Sequence, residues 1–505
     1  MAKTGDSRPA RSIKADFDTD FCAFSYGGAA LIERVMRKMR MRRKLAEFLP
    51  SRNRSGGYAG SVSAYAALAG MLCGGRGFQA AELLRACPDL AEVFGLLGSV
   101  PEEATQYRVA CDLAGLQQRI KEEHYEEVPE APCQLDMYGN EKKQPKTRRL
   151  VPAEPEEMSP GRKEAFAGLL ASTALAAIGM HPNYICSLFG FFAIHGDATD
   201  LEVEGNCFDA GRKDHEGNKS LRWMTVKLGP VTVAEEVFPG ASDEGTRAPK
   251  MLDRASEKVI SKAGKDRKAL ALFDAAYCEG PVFRTLRALG WKYIVCANQM
   301  RAPMTVVAGN LPSGEWKTDR KTKKAEWAES ELAVFNYCAD TWDKPETVIA
   351  RRWRGKGELK GVWHYSFLVT DLSPEDLPKR RVRKYGFEQT VWMMYGTKQG
   401  HENYYKRTLS DLGLHNPPSG RLGATQAHYT LGSVAANIQA VISYRVVTKK
   451  DRGIRMRRFF REYVALSGQL IRRCGGVLFV RLAGAGVAEN HRTRWLEAFA
   501  NAEAL

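Results

Sequence analysis

Two aspartates stand directly at the ends of apolar runs that read as buried strands. Asp197 closes LFGFFAIHGD (188–197) and Asp274 closes KALALFD (268–274). A carboxylate at the carboxyl end of a central strand is costly to desolvate unless a partner compensates, and in α/β sheets that edge is where ligands sit. Two carboxylates at neighbouring strand ends repel each other, and a hard divalent cation relieves the repulsion. Mg²⁺ takes a few carboxylates, keeps several waters and completes its shell with substrate phosphate oxygens. Two such ions about 3.5–4 Å apart can activate a water or a 3′-hydroxyl and stabilise the leaving oxygen of a phosphodiester. Taken singly, either aspartate reads as a helix cap or turn former. The pair, in this order of elements, reads as a site.

A third acid lies downstream. Tyr395, Lys398, Glu402, Lys406 and Leu409 follow one another at steps of 3, 4, 4 and 3, so the spacing predicts one shared helix face. Glu402 can complete a metal site there, with Lys398 and Lys406 holding phosphates on either side. Read alone, Lys398–Glu402–Lys406 is also a plain surface series of ion pairs. Asp200, Glu279 and Glu388 compete as acids, and Glu388 is the best rival for the third position. The nine histidines form no HExxH or Hx3H pair; His195 and His401 are expected near the site by position, in a packed or solvated role.

These residues need a scaffold, and the surrounding text supplies one. RWMTVKLG (222–229) and VTVAEEVF (231–238) are two β-rich runs separated by Gly-Pro, a hairpin. PKMLDRASEKVISKA (249–263) reads as a helix, PVFRTLRALG (281–290) as a second, and WKYIVCA (291–297) as another apolar strand. The order is strand, hairpin strands, helix, strand, helix, strand, which implies a mixed sheet with helices packed on it. From about 298 to 384 the pattern is β-like with turns and holds Trp316, Trp327, Trp342, Trp353 and Trp363, five of the nine tryptophans. Residues 61–116 read as several short helices that can carry a helix-turn-helix. Residues 122–162 hold six prolines among charges and read as a linker.

The chain has 505 residues and 56.2 kDa, enough for about three domains. At 44% hydrophobic and 27% charged it is globular rather than disordered. The apolar stretch 165–180 is expected to be too short and too weakly apolar to cross a bilayer. The first residues contain no apolar core of a signal peptide. Eleven scattered cysteines with no CxxC pair argue against a zinc ribbon or a disulfide framework, and for a reducing cytosol.

Charge is the informative quantity. Seventy-five Lys and Arg against 59 acids give +16 and a pI near 9.3, an excess that concentrates polyanions, of which nucleic acid is the commonest. It is clustered. Between Arg34 and Arg54 nine basic residues, among them Arg37, Lys38, Arg40, Arg42 and Arg43, face one acid, Glu47. Apolar residues recur there at roughly helical spacing, so the run is either a solvated helix face or a row of phosphate contacts. Thirteen basic residues and three acids lie between Arg445 and Arg494.

Here a resemblance enters. The segment 395–438 resembles the third-acid region of the DDE transposases of bacterial insertion sequences, the insertion-sequence-four superfamily, with its Y-x2-R-x3-E-x6-K signature. Tyr395, Lys398 and Glu402 occupy the first three positions, with Lys for Arg. The fourth position is Leu409, where Lys406 or Arg407 is the nearby substitute. HGDAT (195–199) resembles the first-acid strand and FDAAYCEGPVFRTLRALGWKYIVCA (273–297) the second-acid block. The 127 residues between Asp274 and Glu402 match a superfamily with a β-rich insertion at that point.

The resemblance implies an α/β fold: a ribonuclease H-like mixed-sheet core (166–297 and 386–440) with a β-rich insertion (298–385). A helical DNA-binding domain (1–120), a linker (121–165) and a helical basic C-terminal region (441–505) would flank it. It implies a DNA transposase in which Asp197, Asp274 and Glu402 hold two Mg²⁺ ions, with Mn²⁺ as substitute. The chemistry is cleavage at transposon ends and transfer of the 3′-hydroxyl into target DNA. Tyr395, Lys398, Lys406, Arg407, the Arg37–Arg43 cluster, Trp353 and Trp363 are its expected DNA contacts. In related enzymes an aromatic of the insertion stacks on a flipped base. Trp342, Trp353 and Trp363 are candidates here, although each also fits the insertion's own small core. The expected partners are double-stranded terminal inverted repeats, target DNA and a second subunit in a paired-end complex. The expected place is the bacterial cytoplasm beside the nucleoid, with no membrane. Two other readings stay open: a metal-dependent nuclease without strand transfer, and a non-catalytic DNA-binding descendant.

Overall fold

The computed structural model describes residues 13–18, 24–50, 58–116, 125–127, 148–150, 156–181, 187–203, 212–213, 219–240, 244–264, 267–297, 302–321, 324–359, 361–398, 405, 408–472, 478–484 and 487–505. Its centre is one mixed sheet. The strands that matter for the site are β1 (Phe191–Glu202), β2 (Lys219–Leu228), β3 (Val231–Pro239), β4 (Ala269–Phe273) and β5 (Lys292–Ala297), ordered β3-β2-β1-β4-β5. The three-stranded meander β1–β3 is antiparallel, whereas β1, β4 and β5 run parallel. This is the ribonuclease H-like order expected from the sequence. Every residue of β4 is buried, which is why ALALF carries no alternation: a parallel central strand is covered on both faces.

The Trp-rich stretch continues this sheet. Its strands β6 (Trp327–Tyr337), β7 (Glu346–Gly355) and β8 (His364–Thr370) form an antiparallel meander, and β8 pairs with β5 through Ile294↔Thr370 and Ala297↔Phe367. The sheet reaches 11 strands.

Helices cover both faces. On one face lie α1 (Pro160–Met180), α2 (Glu244–Ala255), α3 (Gly280–Ala288) and, later in the chain, α5 (Leu422–Val441); the other face is capped by α4 (Phe387–Tyr395). Helix α5 is almost wholly buried. Asn437 clamps it to β3, accepting from the Thr232 N–H at 2.7 Å and donating to the Thr232 carbonyl at 2.9 Å. Helix α1 runs 21 residues, longer than the apolar stretch read from sequence. Among the described residues it is the one helix long and apolar enough to cross a membrane. Here Phe166, Leu169, Leu170, Ala174 and Ala177 are buried in the apolar core beside α5 and β3.

The N-terminal helices (Ala29–Lys38, Met41–Phe48, Gly60–Leu72, Glu103–Ala114) share that core. Leu68, Leu72 and Leu113 belong to the same apolar cluster as Leu431 and Tyr463. The C-terminal region departs from the helical expectation. Gly468–Arg472 and Leu478–Ala483 form an antiparallel pair, and Ile13–Asp18 joins it in parallel, before the final helix Glu489–Glu503. The alternation of Leu478, Val480 and Leu482, all buried, is a strand period.

Candidate active site

Alternation along the strands decides which side chains share the site. Phe191, His195 and Asp197 fall on one face of β1, and Leu270, Leu272 and Asp274 on the same face of β4 and its end. The parallel register pairs Gly196 with Phe273, so Asp197 and Asp274 are direct neighbours across two strands about 4.8 Å apart. Gly196 permits this packing. A Cβ there would sit 2.8 Å from the Phe273 ring.

Asp274 follows β4 directly, as expected, but Asp197 does not end its strand: β1 continues past it to Glu202, still paired with β2. One oxygen of each carboxylate accepts from the next N–H along the chain. Asp197 Oδ1 accepts from the Ala198 N–H at 3.0 Å, and Asp274 Oδ1 accepts from the Ala275 N–H at 2.6 Å. The other two oxygens converge on one cation: Lys398 Nζ lies 3.7 Å from Asp197 Oδ2 and 3.9 Å from Asp274 Oδ2. The Lys398 side chain is only 7% exposed, whereas that of Asp274 is 52% exposed. A buried ammonium over two carboxylates marks the point where this fold concentrates negative potential, and hard oxygen donors sharing one cation suit a divalent ion.

The turn that carries Lys398 is fixed from both sides. Upstream, the Tyr395 hydroxyl donates to the Phe273 carbonyl at 3.2 Å; burial, with Cys296 and Asp274 beside it, raises its pKa and keeps it protonated. Downstream, the Tyr405 hydroxyl donates to the Asp197 carbonyl at 2.5 Å and lies 2.7 Å from Thr225 Oγ1. The expected continuous helix from Tyr395 to Leu409 is seen in part. Helix α4 ends at Tyr395, a 3₁₀ turn covers Gly396–Lys398, and of the described residues beyond it Tyr405 and 408–411 are helical. Glu402, Lys406, Arg407 and His401 lie outside the described residues.

These groups open onto a groove of about 870 Å³, lined also by Thr199, Lys324, Arg351, Trp392, Leu409 and His415. Arg351 packs 3.7 Å above Trp392, and its nitrogen lies 3.3 Å from Asp319; burial lowers its pKa to about 10, so it stays charged. His195 sits beneath the acids. Burial, then the nearby Lys227 and Lys398, push its pKa well down, so the ring is neutral near pH 7. Among the described residues no group of three His, Cys, Asp or Glu side chains gathers as a metal centre.

A family model for the transposase DDE domain, group 1, matches residues 229–497. The chain belongs to this DDE transposase family. The match spans Asp274 and Glu402 but starts after Asp197, and it is the β1–β4 register that places Asp197 beside Asp274. No curated protein matches the sequence. The cryo-EM structure of the piggyBac transposase synaptic complex with hairpin DNA is similar at 10% identity and a TM-score of 0.33, over 54% of this chain and 51% of that one. The chain thus matches about half the length of that protein, too loosely to compare sites.

The other acids weighed in this DDE transposase chain have partners elsewhere. Glu388 is buried and paired with Lys317 at 2.5 Å, and Asp200 binds Arg222 at 2.8 and 3.0 Å. The first basic cluster is divided. Arg42 lies 4.4 Å over the Tyr65 ring and bonds the carbonyls of Phe94 and Gly95; Lys38 bonds the Glu503 carbonyl; Arg37 lies 3.9 Å from Glu33. Arg40 and Arg43 are exposed. Trp342 is buried against Phe283 and Tyr337, as its packing alternative requires. Trp353 is stacked between Trp327 (5.1 Å) and His364 (5.6 Å), and Trp363 lies under Arg352 at 4.4 Å. Sequence reasoning missed Tyr405, Lys324, Arg351 and Trp392. Only Tyr405 left a trace, as a polar aromatic three residues past Glu402.

Proposed function

We propose that the chain is a DNA transposase that cuts a phosphodiester at the end of a mobile element and joins the freed 3′-hydroxyl to target DNA. The observation that carries the reading is the convergence of Asp197 Oδ2 and Asp274 Oδ2 on the Lys398 ammonium, at the floor of an 870 Å³ groove. Glu402 is the third acid. Lys398, four residues before it, and Tyr405, three after it, both reach Asp197, which supports a place for Glu402 near the same aspartate.

Asp197, Asp274 and Glu402 would hold the divalent ions, Mg²⁺ with Mn²⁺ as substitute, which when bound supply Lewis-acid activation of the attacking oxygen and charge stabilisation of the leaving one. The protein does the rest. Lys398, Lys324 and Arg351 draw the phosphate backbone onto the groove floor. The backbone N–H groups of Ala198 and Ala275 orient the two carboxylates. His195 stays neutral below them and adds no charge. In the first step water attacks phosphorus, the bond from phosphorus to the 3′-oxygen breaks, and that oxygen leaves as a hydroxyl after taking a proton. In the second step this hydroxyl attacks a target phosphodiester, one phosphorus–oxygen bond forming as another breaks. No enzyme–DNA bond is needed. Terminal repeats would contact Arg40 and Arg43 among the N-terminal basic residues, and a second protomer would complete a paired-end complex.

Asp197→Ala and Asp274→Ala are each expected to lower cleavage of a transposon-end duplex about a thousandfold or more, with duplex affinity kept. Cutting that survives Asp274→Ala sinks the reading. Incubating wild type with linear ends and a target plasmid separates transposase from nuclease, since only the former gives joined product.

A further inference from the structure

Between β8 and α4 the chain forms a short helix, Lys379–Tyr385, of sequence KRRVRKY. Lys379, Arg380, Arg383 and Lys384 fall at i, i+1, i+4 and i+5, so they share one face, and all four are exposed. The opposite face anchors the helix. Val382 packs against the apolar cluster beneath α4, and the Arg381 guanidinium lies 5.2 Å over the Phe189 ring.

A second element adds to the same surface. Lys321 Nζ lies 5.6 Å from the Tyr385 ring centre, and Lys384 Nζ lies 5.3 Å from it. Arg320, also exposed, is pinned beside them because its backbone N–H donates to Gln389 Oε1 at 2.9 Å. Arg320, Lys321, Lys379, Arg380, Arg383 and Lys384 therefore form one patch around Tyr385. Most nearby acids are paired away from it: Glu388 with Lys317, Asp319 with Arg351, and Asp376 with Lys292 and Lys268. Glu375 stays exposed at the margin.

The patch is joined to the groove twice. Lys324, three residues past Lys321, lines the groove. Helix α4 starts at the patch and ends at Tyr395 beside the acids. Nine residues at 1.5 Å each place the patch roughly 14 Å from the acids, which is about four base-pair steps of 3.4 Å.

We propose that this patch binds the phosphate backbone of duplex DNA about four base pairs from the scissile phosphate. The proposal rests on the groove being a phosphodiester-cleaving site, and it names the flank that this site would grip. Six cations on two elements fit a contact that positions the backbone, since phosphate contacts fix register and carry no sequence information directly.

The test uses the full chain, wild type and the triple variant R380A/R383A/K384A. Two duplexes share a cleavage sequence and differ in flank length, about 2 against about 10 base pairs beyond the cut. Wild type is expected to bind the longer duplex about tenfold tighter or more. The triple variant loses that gain, and its slope of log affinity against log salt becomes shallower by about 3. The charge-conserving variant R380K/R383K keeps the gain, and all three proteins melt at the same temperature. A triple variant that retains both the flank gain and the wild-type slope overturns the proposal. Failure of the underlying reading looks different: no duplex of either length binds wild type, or cutting persists in Asp274→Ala.

Discussion

Lys398 neutralises part of the charge that Asp197 and Asp274 would otherwise hold against each other, and it does so from a buried position. On the proposed reading, such an ammonium would exchange the carboxylates for a substrate phosphate once a divalent ion were held there, because both partners are anions. Tyr405 acts differently. Its hydroxyl touches a backbone carbonyl and Thr225, so it positions the turn and does not meet the reacting atoms. Tyr405→Phe removes this donor from the half-buried Asp197 carbonyl, at a cost of about 1 kcal/mol. The expected outcome is a lower melting temperature and a reduced kcat for cleavage, with KM for the duplex kept. A variant with wild-type kcat would show that Tyr405 only stabilises.

At the scale of elements, the site depends on the parallel register that sets Asp197, inside β1, beside Asp274, which directly follows β4. Gly196→Ala tests this. The added methyl would meet the Phe273 ring at 2.8 Å, forcing it or the strand aside, and overpacking of this kind costs about 1–3 kcal/mol. Melting and cleavage should both drop, whereas Gly161→Ala, at a glycine whose added Cβ would meet nothing within 4 Å, should change neither. This part of the fold was legible. The unbroken apolar runs announced central strands, and the parallel register sets the aspartates that close those runs side by side. The basic run from Arg34 was less legible, because a charge pattern does not show that Tyr65, Phe94 and Glu503 wait for Arg42 and Lys38. The Trp-rich stretch read correctly as β, but nothing local tells that its last strand pairs with β5 and lengthens the central sheet. The C-terminal strands were missed although Leu478, Val480 and Leu482 alternate at strand period, and the strand that completes their sheet, Ile13–Asp18, lies at the far end of the chain. Glu402 was read from the family signature and its helical spacing, and it lies outside the described residues.

The whole molecule's stability should depend on pH through acids away from the groove. Glu235 on β3 accepts from Trp223 Nε1 at 3.1 Å and from Thr430, and burial raises its carboxyl pKa to about 7 from an unfolded value of 4.5. Glu33 is raised to about 7 for the same reason. The folded state thus holds these protons more tightly than the unfolded chain does. The resulting stability is fully present below pH 4.5 and is lost as pH rises through 7, on the order of 3 kcal/mol per group. Wild type should therefore melt at a lower temperature at pH 8 than these groups allow at pH 5.5. Glu235→Gln, which carries no titrating proton, should flatten part of that decline. An unchanged pH profile in the variant would show that Glu235 does not titrate with folding.

The pairing of Ile13–Asp18 with Leu478–Ala483 has a temporal consequence. A ribosome releases the first of these strands long before the second exists. The earliest helices must wait for nearly the entire message to be translated before their edge is closed. Any shortened product that stops before residue 468 would lack both partner strands, so such fragments should be poor folders and ready prey for proteases.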